Sequence, residues 1–454
     1  MTGTGEDGDA LEQGAIRKMM WRLLPLLGAG YLIAMLDRQN VAMAKLQMDA
    51  ALGLSDTAYG VGAGIFFAGY FLLEVPSNLA LHRFGARRWI ARIMLTWGLL
   101  SAACAFILPI SAATGIAPRH VFYADRLLLG AAEAGFYPGI IYYLTLWFPA
   151  VYRARTMGRF FLGSCFALIL GQPLGGLLLG QSTGGVAGWQ WLFLIEAAPA
   201  VVLALVILRV LPDGLAGAPC LSEEERRWLA TRLGREREAA GAGHAGVFQT
   251  LADPRLLAVA AVCFCSQIVT YGVTFFLPTI VKAFGVTDLQ TGLLAAVPYL
   301  FSVVGVLIIC RSCDRTLKRR EHLALAMTIS AIGLAGAALA PAPAARLAFL
   351  CVAAFGMAAA IPLTLAIPAS FLTGAAAAAG LAGANAVGSL GGFVGPYVMG
   401  SLKDATGGFT AGLLVIAASA LTGAGISLAM KVGAEARGPE PAAAVPAPQG
   451  VLHG

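Results

Sequence analysis

The chain has 454 residues, of which 58% are hydrophobic and only 12% are charged, and its mean hydropathy is +0.78. A soluble domain carries about 25% charged residues, so this composition excludes an ordinary soluble protein and predicts an integral membrane protein. The formal net charge of +7 does not indicate nucleic-acid binding, because the basic residues follow a pattern of membrane topology.

Twelve apolar stretches are long enough to cross a bilayer, which takes about 20 residues each. They fall at roughly 20–44, 57–81, 89–110, 121–147, 156–181, 189–211, 254–281, 290–310, 322–341, 346–372, 380–402 and 409–431. The sequence therefore predicts an all-α membrane protein with twelve transmembrane helices. An even number of spans puts both termini on one side of the membrane.

The longest polar stretch lies between the sixth and seventh spans and divides the chain into two halves. It opens with Ser222-Glu223-Glu224-Glu225, a capping box that predicts a short charged helix to about Glu238. The predicted organisation is an N-terminal tail, a six-helix bundle, a central loop, a second six-helix bundle and a Pro- and Ala-rich disordered tail. The respective ranges are 1–19, 20–211, 212–253, 254–432 and 433–454.

Most of the 31 Lys and Arg residues lie in the loops on the side that carries the termini. By the positive-inside rule this side is cytoplasmic. The first 15 residues are polar and acidic, so the sequence predicts no cleavable signal peptide. The first span is expected to stay in the membrane as an anchor.

The two halves show weak internal repetition. Basic residues that follow the second span recur after the eighth, and a proline with a later Gly-Gly pair recurs in the fifth and eleventh spans. The matching residues are Arg83, Arg87 and Arg88 with Arg315, Arg319 and Arg320, and Pro173 and Gly184-Gly185 with Pro396 and Gly407-Gly408. The repetition predicts two pseudo-symmetric bundles with a substrate site between them.

Four of the charged residues inside the predicted spans are candidates for function, Asp37 and Arg38 in the first span and Arg126 and Glu133 in the fourth. A charge at the bilayer centre costs about 2.5–3.5 kcal/mol on insertion scales, and the usual exceptions line a pathway. Two arginines predict an anionic substrate, and two carboxylates predict proton sites. Arg126 and Glu133 share a helix face, about 10.5 Å apart along its axis. The alternative is a purely structural polar network.

Other sequence features exclude several functions. Cys310 and Cys313 form a lone C-x-x-C, which is better explained by packing than by metal or redox chemistry. The chain contains no Walker motif and no hydrolase or metalloprotease motif. The sequence thus predicts neither an enzyme nor an ATP-driven pump, and no cofactor or metal.

The basic turn Asn78–Arg88 and its second copy Cys313–Arg320 resemble the cytoplasmic loop motif of the major facilitator superfamily. In that family an acidic residue and arginines latch the two halves together on the inner side. The sequence departs from the motif at His82, in place of the acid, and at Leu317, in place of a glycine. The alternative is simple positive-inside charge. The predicted cytoplasmic gate comprises Glu74, Arg83, Arg87, Arg88, Asp314, Arg315 and Arg319, with Glu74 expected to pair with the basic loop.

Further segments resemble the bacterial anion:cation symporters of that superfamily, which include tartrate-type, hydroxyphenylacetate, phthalate and sugar-acid permeases. These segments are Gly85–Ile90, Ala132–Gly139, Tyr143–Pro149, Gly188–Glu196, Phe371–Gly374 and Gly391–Pro396. The resemblance implies that Arg38 and Arg126 hold a substrate carboxylate, that Asp37 and Glu133 bind protons, and that Tyr70 lines the cavity. Two positions depart from the family pattern, Met35 where a tyrosine is common and Leu365 where a tryptophan is common.

The second half contains no clear acid or base inside its spans. Its polar candidates for substrate contact are Gln267, Tyr271, Ser370 and Asn385. Small polar side chains also commonly join membrane helices, and that alternative stays open.

The sequence-based hypothesis is a proton-coupled symporter that takes up a small organic anion by alternating access. Protonation of Glu133 is expected to release Arg126 for the substrate. The predicted partners are the anion, the proton and membrane lipid, and the protein is expected to act as a monomer in the bacterial inner membrane. The alternatives are an efflux antiporter of the same superfamily and a non-transporting organic-acid sensor.

Overall fold

The computed structural model describes residues 5–218, 220–240, 253–368 and 374–430, and nearly all of them are helical. The helices are α1 Gly5–Leu52, α2 Asp56–Phe84, α3 Ala86–Cys104, α4 Ile107–Thr114, α5 Pro118–Glu133, α6 Phe136–Thr145, α7 Ala150–Leu179, α8 Gly188–Val210, α9 Glu223–Ala240, α10 Pro254–Thr274, α11 Leu277–Lys282, α12 Asp288–Thr316, α13 Arg319–Leu339, α14 Pro343–Ala366, α15 Gly374–Thr406 and α16 Thr410–Ala429. Ser370 and the predicted tail 433–454 lie outside the described residues.

Twelve spans are built from these helices. Among the described residues, nine segments are long and apolar enough to cross a membrane, and the bent pair α3 and α4 makes ten. The 30-residue α7 and the 33-residue α15 complete the twelve. The predicted twelve-helix all-α fold is confirmed.

Three predicted spans are interrupted. The third bends by 77° between α3 and α4. The fourth breaks directly after Glu133, where Gly135 adopts a left-handed φ of 84°. The seventh breaks between α10 and α11. The first helix is longer than the predicted first span. Residues 5–19, predicted as an N-terminal tail, are a helical continuation of α1.

The helix contacts of the first half recur in the second. α1 packs on α7, α2 on α5, and α3 on α8; correspondingly, α10 packs on α15, α12 on α14, and α13 on α16. Glycines allow equivalent close approaches: a Cβ at Gly69 would lie 2.1 Å from the carbonyl oxygen of Leu127, and one at Gly305 would lie 2.0 Å from that of Phe355. The repeat inferred from sequence is therefore visible in the packing.

The halves meet through α2 with α15 and α7 with α12. Along α2, Gly60 packs on Pro396, Gly64 on Phe393, and Phe67 on Gly392. Further along the same face of α2, Phe71 and Val75 are exposed. The halves thus close at the end where α2 begins, here called the distal end, and they separate toward the opposite end, where α1 begins.

The predicted helix of the central loop is present as α9. Its capping box forms as expected, with the Glu225 N–H donating to Ser222 Oγ at 3.2 Å and the Ser222 N–H donating to Glu225 Oε2 at 2.7 Å. The Lys18 Nζ to Glu225 Oε1 distance is 2.8 Å. The Arg153 Nη2 to Glu236 Oε2 distance is 3.2 Å, so α9 is fastened to α1 and α7 of the first bundle.

Candidate functional site

Arg38 and Glu133 form an ion pair deep in the first bundle. Their side chains are 12% and 2% exposed. Glu133 is the last residue of α5, where the helix dipole disfavours a carboxylate. The guanidinium that α1 supplies at this position compensates both the dipole and the burial of the carboxylate.

Arg126 is fully buried, and its Nε, Nη1 and Nη2 atoms have no hydrogen-bond partner among the described residues. Its Cζ lies 5.1 Å from the centre of the Phe66 ring, and the Cζ of Arg38 lies 5.2 Å from the same ring. Both guanidinium groups therefore gain cation–π attraction from one phenyl ring. The arrangement depends on Gly130, where a Cβ would lie 1.9 Å from the Phe66 carbonyl oxygen.

The expected pairing of Glu133 with Arg126 is not formed. The two residues lie seven positions apart on α5, about 10.5 Å along the helix axis, and Glu133 has its ion pair with Arg38. Arg38 reaches the carboxylate from α1 instead. The sequence-based interpretation is therefore corrected: Glu133 pairs with Arg38, and Arg126 has no ion pair or side-chain hydrogen bond among the described residues.

Asp37 faces away from this pair. Its Oδ1 accepts hydrogen bonds from Ser101 Oγ on α3 and from Asn40 Nδ2, the latter at 3.0 Å. Asp37 is buried between α1 and α3, whereas Arg38 faces α2 and α5. The two neighbours therefore occupy different environments, as expected for adjacent positions on one helix.

Aromatic side chains connect the arginines with the second half. The Tyr70 ring centre lies 5.5 Å from the Cζ of Arg38. Phe67 packs edge-on against Phe66 at 5.2 Å and contacts Tyr271 of α10 at 4.3 Å between ring centres. Tyr70 therefore lies against Arg38, and Tyr271 contacts the same aromatic group through Phe67.

The other polar candidates of the second half are less closely connected to the arginines. If Gly391 carried a Cβ, that atom would lie 3.2 Å from the Cβ of Gln267. The face of α10 that bears Gln267 therefore packs on α15. Asn385 is half-buried and its carbonyl accepts a hydrogen bond from Ser389 Oγ at 3.0 Å. Neither side chain has a hydrogen bond to a site residue among those described.

The predicted cytoplasmic gate is not assembled in this conformation. The Arg87 Nη2 to Asp213 Oδ2 distance is 2.7 Å, and Arg319 Nη1 donates to the Ala366 carbonyl at 2.9 Å, each within or next to its own half. The expected pairing of Glu74 with the basic loop is not formed among the described residues. The remaining gate residues, Arg83, Arg88, Asp314 and Arg315, form no ion pair between the described parts of the two halves. Their separation matches the open end of the molecule.

Sequence reasoning missed an ion cluster at the distal end, here called the distal cluster. It comprises Lys45, Asp49, Asp56, Lys403 and Asp404. Asp56 Oδ1 lies 2.7 Å from Lys45 Nζ and 2.8 Å from Lys403 Nζ, so one carboxylate joins lysines of both halves. Asp404 accepts from the Thr57 N–H at 2.7 Å. Only the i,i+4 spacing of Lys45 and Asp49 was visible in the sequence; the remaining contacts depend on the fold.

Replacing Asp56 with Asn is expected to loosen the distal end, because it removes the shared counter-charge of two lysines, of which Lys45 is only 3% exposed. A change of about 1.4 kcal/mol would raise the population open at that end about tenfold. The reporter is a cysteine at the buried position Ala63 of α2, labelled by an impermeant maleimide from the distal side. Asp49→Asn is the matched control, since Asp49 contacts Lys45 only within α1. Equal labelling of both variants would contradict a role of Asp56 in closure.

A model of the Major Facilitator Superfamily matches residues 27–287 and 259–452 of the chain. The chain belongs to the Major Facilitator Superfamily. A putative tartrate transporter of Agrobacterium vitis is 43% identical over 93% of each chain. A quinolone resistance transporter of Acinetobacter baumannii is 43% identical, over 91% of this chain and 94% of the relative.

The inner membrane transport protein RhmT of Escherichia coli K12 is 37% identical over 93% of this chain and 96% of its own length. The solved xylose transporter XylE from E. coli, in a partially occluded inward open conformation, covers 91% of this chain and 98% of its own with a TM-score of 0.74. At 13% identity this likeness shows the fold alone. The major facilitator fold and the resemblance to organic-acid permeases are confirmed.

Proposed function

We propose that this transporter carries a small organic carboxylate into the cell together with protons, by alternating access. The observation that supports this most strongly is the buried Arg126, whose three nitrogens face no hydrogen-bond partner among the described residues. A buried charge without a partner is costly. A carboxylate satisfies a guanidinium through two parallel, charge-assisted hydrogen bonds.

Coupling to protons is proposed to run through the Arg38–Glu133 ion pair. With Glu133 ionised, its carboxylate occupies Arg38. Protonation of Glu133 removes that negative charge, so Arg38 becomes available to the substrate beside Arg126. Anion binding therefore strengthens as the pH falls, and anion and proton bind cooperatively.

Asp37 is proposed as the second protonation site. Its carboxylate lies inside the bundle against Ser101 of α3. Asp37 can hold a proton at the stage of the transport cycle when ionised Glu133 again forms its ion pair with Arg38. This assignment keeps proton handling in the first half, while Tyr70 and the second-half residues Gln267, Tyr271, Ser370 and Asn385 are proposed to contact the rest of the substrate.

In the proposed cycle the two halves close alternately at the distal end and at the opposite end. In this conformation the distal cluster joins the halves, and the halves separate toward the end where α1 begins. We propose that this end is cytoplasmic, that the protein lies in the bacterial inner membrane as a monomer, and that Arg83, Arg87, Arg88, Asp314, Arg315 and Arg319 latch it when the distal end opens. No cofactor other than the coupling proton is required by this scheme.

The substrate class is a hydroxy-dicarboxylate or a related carboxylate. Two guanidinium groups on one phenyl ring match a ligand that carries one or two carboxylates. Two of the relatives are named putative tartrate transporters.

Uptake into proteoliposomes tests this proposal. With the exterior more acidic than the interior, radiolabelled tartrate, sugar acids and aromatic acids are offered in turn. The proposal predicts that at least one carboxylate accumulates above its external concentration, and that accumulation ends when a protonophore collapses the gradient. Equilibration without accumulation for every acid would contradict proton-coupled uptake.

An efflux antiporter is the second candidate, because a relative of 43% identity is named a quinolone resistance transporter. The two candidates differ in the direction of the gradient they use. An antiporter accumulates a quinolone in vesicles whose interior is more acidic, whereas the symporter accumulates its acid with the opposite gradient. The same vesicles therefore separate the two.

A further inference from the structure

The first bundle buries more acids than bases. Four carboxyl groups lie inside it, those of Asp37, Asp125, Glu133 and Glu196. Two guanidinium groups, those of Arg38 and Arg126, lie near these acids. The buried Lys45 does not balance them, because it is paired with Asp49 and Asp56. Of the four acids, only Glu133 forms an ion pair among the described residues. A buried carboxylate without a counter-charge normally takes up a proton instead of staying ionised.

Asp125 is the least explained of the four. It precedes Arg126 on α5 and is 8% exposed. Its Oδ2 accepts a hydrogen bond from the thiol of Cys104, the last residue of α3, at 2.6 Å. One turn earlier on α3, Ser101 donates to Asp37. The polar face of α3 therefore lies between two buried carboxyl groups and supplies only neutral donors to both.

Among the described residues, no cation of the helices around Asp125 forms an ion pair with it. α2 packs on α5 through Gly62, Phe66 and Gly69. The nearby tyrosine of α2, Tyr59, directs its hydroxyl to the carbonyls of Val41 and Phe275, at 3.3 and 3.1 Å. α4, with the sequence ILPISAAT, has no titratable side chain.

On α5 itself, Arg119 and His120 are exposed at the start of the helix. The guanidinium of Arg126 is the nearest positive charge in sequence, yet none of its nitrogens is hydrogen-bonded to Asp125. The buried carboxyl groups of α1 and α8 are those of Asp37 and Glu196.

The charge state of Asp125 matters for the substrate. An ionised carboxylate beside Arg126 would repel an incoming anion and offset the attraction of the guanidinium. A neutral carboxyl leaves the full charge of Arg126 for the substrate. Low dielectric around both groups makes this difference large.

We propose that Asp125 is a proton-binding site in addition to Asp37 and Glu133, protonated while Arg126 holds the anion. This proposal rests on the proposed role of Arg126. The proton is bound on the carboxyl of Asp125 and is released to water as the pH rises, leaving a carboxylate that weakens anion binding. Asp125 keeps its proton while Arg126 holds the anion, and its ionisation at higher pH sets the alkaline limit of substrate affinity.

The first test uses infrared spectroscopy on the reconstituted full-length protein without substrate. Wild type at mildly acidic pH is expected to show the C=O stretching band of a protonated carboxylic acid that Asp125→Asn lacks. Cys104→Ala is expected to shift this band without removing it, because the carboxyl loses only its thiol donor. Identical carboxylic-acid bands in wild type and Asp125→Asn would overturn the proposal.

The second test measures tartrate binding from roughly pH 5 to pH 9, in a Glu133→Gln background that removes the contribution of Glu133. The remaining affinity is expected to fall on the order of tenfold toward high pH, as for the appearance of a nearby like charge, and adding Asp125→Asn is expected to abolish this fall. An unchanged pH profile would overturn the proposal. If the protein does not bind tartrate at all, the substrate assignment fails, while the infrared bands still decide whether Asp125 is protonated.

Discussion

Arg126→Gln is expected to lower carboxylate transport on the order of a hundredfold or more, as for truncation of one partner of a buried charge pair. The reason is that a neutral amide keeps a polar side chain but loses the charge and the two parallel donors of the guanidinium. Arg126→Lys is expected to recover only part of the loss, because an ammonium does not present the planar fork of guanidinium. Initial uptake rates into proteoliposomes measure both effects.

A second readout separates binding from structure. Arg126 is buried without a hydrogen-bond partner among the described residues, so removing its charge is expected to raise the melting temperature of the substrate-free protein. A residue that served only the fold would show the reverse. Arg119→Gln, at an exposed position of the same helix, is the matched control and should change neither property. Retained transport in Arg126→Gln, or loss of transport together with a lower melting temperature, would contradict the assignment of Arg126 to the substrate.

Glu133→Gln is expected to separate transport from the proton gradient near neutral pH. The amide mimics the protonated carboxyl, so Arg38 is permanently available to the anion. Substrate binding and exchange of labelled for unlabelled anion should continue, while accumulation driven by an acidic exterior should fall to the level of equilibration.

The sign of the pH effect follows from the ion pair. In wild type, ionised Glu133 competes with the anion for Arg38, so affinity is higher at low pH and falls as Glu133 ionises. In Glu133→Gln that competition is absent. As the pH rises, the affinity for the anion therefore stays near its low-pH value up to neutral pH. Glu133→Asp, which keeps the carboxyl, is the control and should retain coupling. A Glu133→Gln variant that still accumulates substrate with the gradient would show that Glu133 is not the coupling site.

The fold was predictable because its determinants are local. Apolar length determines the spans, and the recurrence of Pro173 and Pro396 in equivalent helices reported the duplication. The interruptions were not predicted, since hydropathy stays high through them. Gly135 illustrates why: its left-handed backbone ends α5 at Glu133, yet a glycine inside an apolar stretch is equally compatible with a continuous helix.

The site was predictable in its members but not in its pairings. Burial of Arg38, Arg126 and Glu133 follows from the spans, whereas the choice of Arg38 over Arg126 as the partner of Glu133 depends on how α1 lies against α5. Asp125 was passed over although it lies in the same span, because it stands close to the predicted start of the span. Contacts between sequence-distant helices also explain why the lysines that Asp56 joins could not be paired in advance.

The most direct test of proton-coupled anion uptake follows both species in the same vesicles. Proteoliposomes containing a pH-sensitive dye receive external tartrate without an imposed gradient, and tartrate entry and internal pH are recorded together. The proposed mechanism predicts that tartrate entry acidifies the interior in wild type and leaves the internal pH unchanged in Glu133→Gln. Tartrate entry in wild type without acidification, or with alkalinisation, would contradict it.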